Sequence, residues 1–202
     1  MSRTSQRALV LLAGLLIGAG PLTTGCSVGV TGTPAADPAP APTEGPGSDP
    51  VPWTGQVCTA VLAFATPATT RPDFGASPDL PAVRQLASTY LTSVVTGTEQ
   101  GVAQLRTLGR EPVPGGDAAA AGVRDALTAA GQTFTAARAT VDGADPADPA
   151  TFGAVLAQLE GTLGTLRAPD PIASFASVPR LQRAAEQAPP CQQLAALAAN
   201  PH

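Results

Sequence analysis

Proline placement constrains this chain more than any other feature. Between residues 27 and 52 (SVGVTGTPAADPAPAPTEGPGSDPVP) stand seven prolines and four glycines, with no hydrophobic periodicity. Beyond Trp53 the prolines thin to single residues and pairs, and apolar residues recur at helical spacing between them. Proline removes a backbone donor and fixes φ, so it separates elements far more readily than it sits inside them. The first stretch therefore reads as a tether with no core to build, extended by up to about 3.1 Å per residue. The second reads as helices cut to length by proline.

Five segments follow from the spacing. Trp53, Val57, Ala60, Val61 and Phe64 make one stripe, with Pro67 as its end. A long helix over about residues 79–108 carries Val83, Leu86, Ala87, Tyr90, Val94, Leu105 and Leu108 inward, and Gly109 and Pro112 stop it. A third helix opens after Gly115-Gly116-Asp117, with Val123, Leu127, Ala130, Phe134, Ala137 and Val141 as a heptad-like seam. Asp148-Pro149 opens a fourth, an N-cap followed by proline at the first helical position, with Phe152, Val155, Leu156, Leu159, Leu163 and Leu166 on its stripe. Asp170-Pro171 repeats that signal. Pro179 and Pro189-Pro190 cut the remainder into short helices bearing Phe175, Leu181, Leu194 and Leu197. No strand-like alternation stands out. The expected fold is all-α: an antiparallel helical bundle of four main helices plus short terminal helices, over residues 53–199. With 40 alanines and few aromatics in the chain, its core is poor in large side chains. At about 25 cal/mol per Å² of buried apolar area, such a core is only marginally stable.

Residues 1–25 have a different character. Arg3 and Arg7 precede thirteen uncharged, mostly apolar residues (ALVLLAGLLIGAG), and Pro21 then breaks the run before Leu22-Thr23-Thr24-Gly25-Cys26. Thirteen helical residues span about 20 Å, short of a ~30 Å hydrocarbon core, which fits a signal peptide better than a permanent span. The junction resembles the lipobox of bacterial lipoprotein precursors, with Thr23 standing where that family most often has Leu. The resemblance implies cleavage after Gly25 and a diacylglyceryl group on the Cys26 thiol. Residues 26–52 would then be a lipidated cysteine and its tether, holding the chain at the extracytoplasmic face of a cell membrane. Two acyl chains on one cysteine anchor stably where a single chain does not. Thr31, Thr33 and Thr43 are either bare spacer residues or acceptors of O-linked sugars.

Removing the leader leaves 9 arginines against 15 acidic residues, a net charge of about −6, and the chain has no lysine. Anionic lipid and nucleic acid are both poor partners for that balance. Once Cys26 is assigned to lipid, Cys58 and Cys191 remain as a pair in an exported chain, expected as a disulfide between the first and last helices. A redox-active pair has no CxxC spacing or neighbouring Lys or His to support it. A tryptophan and cysteine at the start, Ala/Leu helices, then Pro189-Pro190-Cys191 at the close loosely resemble the small helical lipoproteins of actinobacteria. That resemblance implies location and architecture, and no activity.

Catalytic chemistry finds little to work with. The single histidine is His202, the single methionine Met1, so His triads, His-based metal sites and His or Met haem ligation lack their residues. Glu99, Asp125 and Glu160 fall on the outer sides or flanks of their helices and read as solvated charges; no cofactor and no metal are expected. Arg138 and Asp142 are expected to pair across one turn. Ser93, Gly97, Gly101 and Gln104 project toward the core side of the long helix. They imply either a close helix crossing or bend, or a gap admitting an apolar ligand with Ser93 and Gln104 as polar handles. The expected function is thus a binding or adaptor module for envelope components, with a carrier or sensor of a small apolar molecule as the alternative.

Overall fold

The computed structural model describes residues 42–75, 77–165 and 169–199. Residues 1–25, expected as a signal peptide, and Cys26, Thr31, Thr33, Leu166 and His202 lie outside the described residues. Those described form seven α-helices and no strand: α1 (Pro50–Thr69), α2 (Leu80–Arg106), α3 (Gly116–Gly143), α4 (Pro149–Thr165), α5 (Pro171–Phe175), α6 (Pro179–Gln187) and α7 (Pro189–Ala199). The fold is all-α, closed by a disulfide between Cys58 and Cys191.

Aspartate–proline pairs start three of these helices. The Asp49 carboxylate accepts from Val51 N at 3.0 Å, and Asp170 accepts from Ile172 N and Ala173 N at 2.9 and 3.0 Å. Asp148 accepts from Thr151 N at 3.2 Å and from the Thr151 hydroxyl at 2.7 Å. Each carboxylate satisfies amides that have no partner inside the helix, while the following proline has no amide to leave unpaired. Because Asp49-Pro50 carries this signal, α1 begins at Pro50, three residues inside the stretch expected as tether. The preceding residues are tied down as well. Gly47 N donates to Pro112 O at 3.0 Å and the buried Ser48 hydroxyl donates to Gly45 O at 2.7 Å, with Gly45 and Gly47 at positive φ. Trp53 Nε1 in turn donates to Gly109 O at 3.0 Å, fixing α1 to the α2–α3 connector.

Helix α2 lies between α1 and α3 and packs along both. Gly97 meets Ala63 and Gly101 meets Ala60, so the two chains run in opposite directions; Thr98 against Gly131 and Gly101 against Leu127 show the same for α3. Val57, Val61, Phe64, Leu91, Val94, Val123 and Leu127 fill the shared core, and Phe64 meets Phe134 edge-on at 5.9 Å.

Three expectations change here. Pro67 lies inside α1, which continues to Thr69, because a missing amide this close to the helix end costs only one bond. Leu86 is exposed at 41%, since it falls beside Ala87, which takes the inward place on that turn. The fourth main helix is less central than expected: α4 makes its main contact with α3 and adds Phe152 and Leu159 to the common core, while α5, α6 and α7 pack on α1 and α3. The disulfide ties α7, through Cys191, to α1.

Candidate functional site

The disulfide is the most firmly placed of the expected features. Cys58 and Cys191 have Cα atoms 5.1 Å apart, within the normal reach of a cystine, and both are fully buried. No solvent reaches the sulfur atoms, so the pair is structural rather than a redox centre.

The feature at Gly97 and Gly101 is a closed crossing. A Cβ placed on Gly97 would fall against Ala63 O, and one on Gly101 against Ala60 O. Pro67 removes the amide that would donate to Ala63 O, but Gly101 comes just as close to Ala60 O, whose helical donor Phe64 keeps its amide, so it is the missing side chains of the two glycines that admit the crossing. Of the two arrangements expected here, Gly97 and Gly101 make the close crossing, with Ser93 and Gln104 beside it. The glycines are buried, whereas Ser93 and Gln104 are exposed. A helix with neighbours on two sides presents the edges of its buried face at the rim of a groove, and both residues sit at such an edge.

That groove is an open, shallow trough of about 590 Å³ along the outer side of the α1–α2 pair. Thr59, Leu62, Ala63 and Thr66 line it from α1, at spacings of three, one and three. Ser93, Thr96, Gly97, Gln100 and Gln104 line it from α2, and Gln193 closes it from α7. Pro67 contributes to the floor. None of these residues is ionisable. Thr59 and Ser93 donate their hydroxyls to backbone carbonyls of their own helices, Gly55 O at 2.9 Å and Tyr90 O at 2.7 Å. The exposed carboxamides of Gln100, Gln104 and Gln193 make no hydrogen bond to the other described residues.

The acidic residues singled out in the sequence lie apart from the groove. Glu99 and Glu160 are exposed, and Asp125 forms a solvent-side ion pair with Arg124 at 3.5 Å. Arg138 and Asp142 make no ion pair, contrary to expectation, although they stand one turn apart. Among the described residues, no cluster of three His, Cys, Asp or Glu is placed to hold a metal ion. Two groups are perturbed. Burial raises the Tyr90 phenol above its usual 10.0, opposed by the nearby Arg71 cation, and the phenol donates to Ala68 O at 3.1 Å. The Asp148 carboxyl is lowered, chiefly by the Thr151 hydroxyl and then by the Thr151 amide. Both tie an element in place, and neither faces the groove.

Sequence reasoning located Ser93, Gly97 and Gln104 but missed Thr59, Thr66, Thr96, Gln100 and Gln193. The signal available was the matched spacing of small and hydroxyl residues on two helices; that the faces adjoin is visible only once α1 is set against α2. Compared with known protein families, with curated proteins and with solved structures, the chain matches none.

Proposed function

We propose that the protein is a lipid-anchored extracytoplasmic binding module of a bacterial envelope, presenting the α1–α2 groove to another envelope component. The observation that carries this reading is the pairing of Cys58 with Cys191. A buried disulfide that closes a domain belongs to chains exported to an oxidising compartment. It also leaves Cys26 as the odd cysteine of three, at the Gly-Cys junction that resembles a lipobox. No helix among the described residues is long and apolar enough to cross a membrane. In this reading the lipid on Cys26 holds the protein at the membrane, and two acyl chains suffice for stable anchoring.

A binding role is favoured over catalysis by what the groove offers: neutral hydrogen-bonding groups on a rigid floor, with no nucleophile–base pair in reach. It is favoured over carriage of a buried apolar ligand by the closed crossing at Gly97.

Two measurements test the reading. Expressed in a lipoprotein-exporting bacterium, the full chain should partition with membranes and yield an acylated N-terminal peptide beginning at Cys26, and Cys26→Ala should release it. A photo-crosslinker at Thr96 of the anchored protein should give a discrete adduct on intact cells, absent when the crosslinker sits at Gln132 on α3. An unmodified Cys26, or identical adducts from both positions, would overturn the corresponding half of the proposal.

A further inference from the structure

Composition reads residues 45–50, Gly-Pro-Gly-Ser-Asp-Pro, as part of a tether, yet they are folded. Gly45 and Gly47 stand at φ +76 and +93, the left-handed region that glycine enters at no steric cost. The Ser48 amide and hydroxyl both donate to Gly45 O, at 3.1 and 2.7 Å, and Ser48 is buried. One bond from this turn is long-range: Gly47 N donates to Pro112 O at 3.0 Å. Trp53 Nε1 donates to Gly109 O, three residues earlier in the same connector, and the Arg110 side chain lies against Gly45. The α2–α3 connector is thus gripped at two points by residues that precede and open α1. A bare spacer needs no left-handed glycine, no buried serine and no bond to a distant connector. All three occur within residues 45–48.

We infer that residues 42–49 are a clasp that fixes where the chain leaves the domain and how far the domain can stand from its anchor. The second half of this step rests on the reading of Cys26 as the lipidated residue. With the clasp closed, residues 26–41 separate anchor from domain, sixteen residues against the twenty-seven of a tether running to residue 52. A chain covers at most ~3.3–3.6 Å per residue, so the clasp lowers the limit of reach from about 95 Å to about 55 Å. The exit lies at the connector end of the helices. The other end of α3, 28 residues on, is about 42 Å away. The connector end is then the part of the domain held closest to the bilayer, and an envelope partner must come within the shortened reach.

Hydrogen exchange by NMR, on the full chain in detergent micelles, reads the clasp directly. The Gly47 and Ser48 amides should exchange about a hundredfold more slowly than in an unstructured chain. Exchange at the unstructured rate would overturn the inference. Gly47→Val, strained at a positive φ, should raise both rates about tenfold or more while the amides of Val94 in α2 and Leu127 in α3 stay protected. Glu44→Ala, exposed beside the turn, should leave all of them unchanged. If valine also strips protection from α2 and α3, it unfolds the domain, and the unsubstituted rates alone decide. The reach is read on vesicles carrying dansyl-labelled headgroups, with Trp53, the only tryptophan, as energy donor. Gly47→Val should lower the transfer, and equal transfer from both proteins would overturn the shortened reach. Failure of the lipid reading shows separately: the chain would not bind the vesicles, which removes the reach, while protected Gly47 and Ser48 amides would leave the clasp standing.

Discussion

At Gly97 and Gly101 the backbones of α1 and α2 meet with no side chain between them, because only glycine lets a neighbouring backbone come this close. Gly97→Ala should therefore destabilise the domain by about 2–3 kcal/mol, as overpacking against rigid backbone does. Gly122 is the contrast: it lies in α3 with nothing within 4 Å of a Cβ placed there. Gly122→Ala should stabilise by about 0.5–1 kcal/mol through the lower entropy of the unfolded chain. Chemical denaturation followed at Trp53, the only tryptophan, reads both changes; equal effects would contradict the account. Tyr90 allows a second check, because it is the only tyrosine. Its phenolate absorbance in the folded chain should appear above pH 10 and return to the usual range on unfolding. The linkage sign follows: the folded pKa is raised, so the stability this gives is present below the unfolded pKa and is lost as pH rises through the folded one.

Among the elements, α4 stands apart. It is opened by a well-made cap at Asp148 and carries apolar residues along its length, yet it packs chiefly on α3, with Val155, Leu156 and Leu163 only half-buried. Gly153, Gly161 and Gly164 face open space and lower its intrinsic helicity. Native-state hydrogen exchange should find α4 amides opening at lower free energy than those of α2, which has partners on two sides. Equal protection in the two helices would show that α4 belongs to the cooperative core. The Asp148 cap is lost as pH falls through its lowered pKa, since the carboxylate is the form that accepts from Thr151. The Asp148-Pro149 cap signal located the start of α4, and apolar periodicity named its inward stripe, of which Phe152 and Leu159 are buried and Val155, Leu156 and Leu163 half-buried. Periodicity did not show that the three short helices pack on α1 and α3.

For the molecule as a whole, the disulfide links residues 133 apart and so removes most of the chain-closure entropy of the unfolded domain. On the chain-entropy view this contributes on the order of 5 kcal/mol, a large share of the stability of an alanine-rich core. Cys58→Ala with Cys191→Ala should lower stability by roughly that amount and leave the domain partly unfolded near body temperature, as circular dichroism would report. Thiol labelling of the oxidised, unfolded protein should find neither cysteine free.

The sequence by itself determined the helices. Proline and capping aspartates act on their own neighbours, and 3.6-residue periodicity names a buried face without reference to what covers it, so Val57, Val123 and Phe152 were legible from local chemistry. It also paired Cys58 with Cys191, because arithmetic left no other partner inside the domain. The tertiary structure decided which faces meet. Ser93 and Gln104 became rim rather than interior because α2 is flanked on two sides, and Gly97 became a contact because α1 sets the Ala63 backbone against it. A groove is a property of two elements at a fixed distance. That distance is set by side-chain volume at the crossing, summed over residues far apart in the chain, and no local pattern carries the sum.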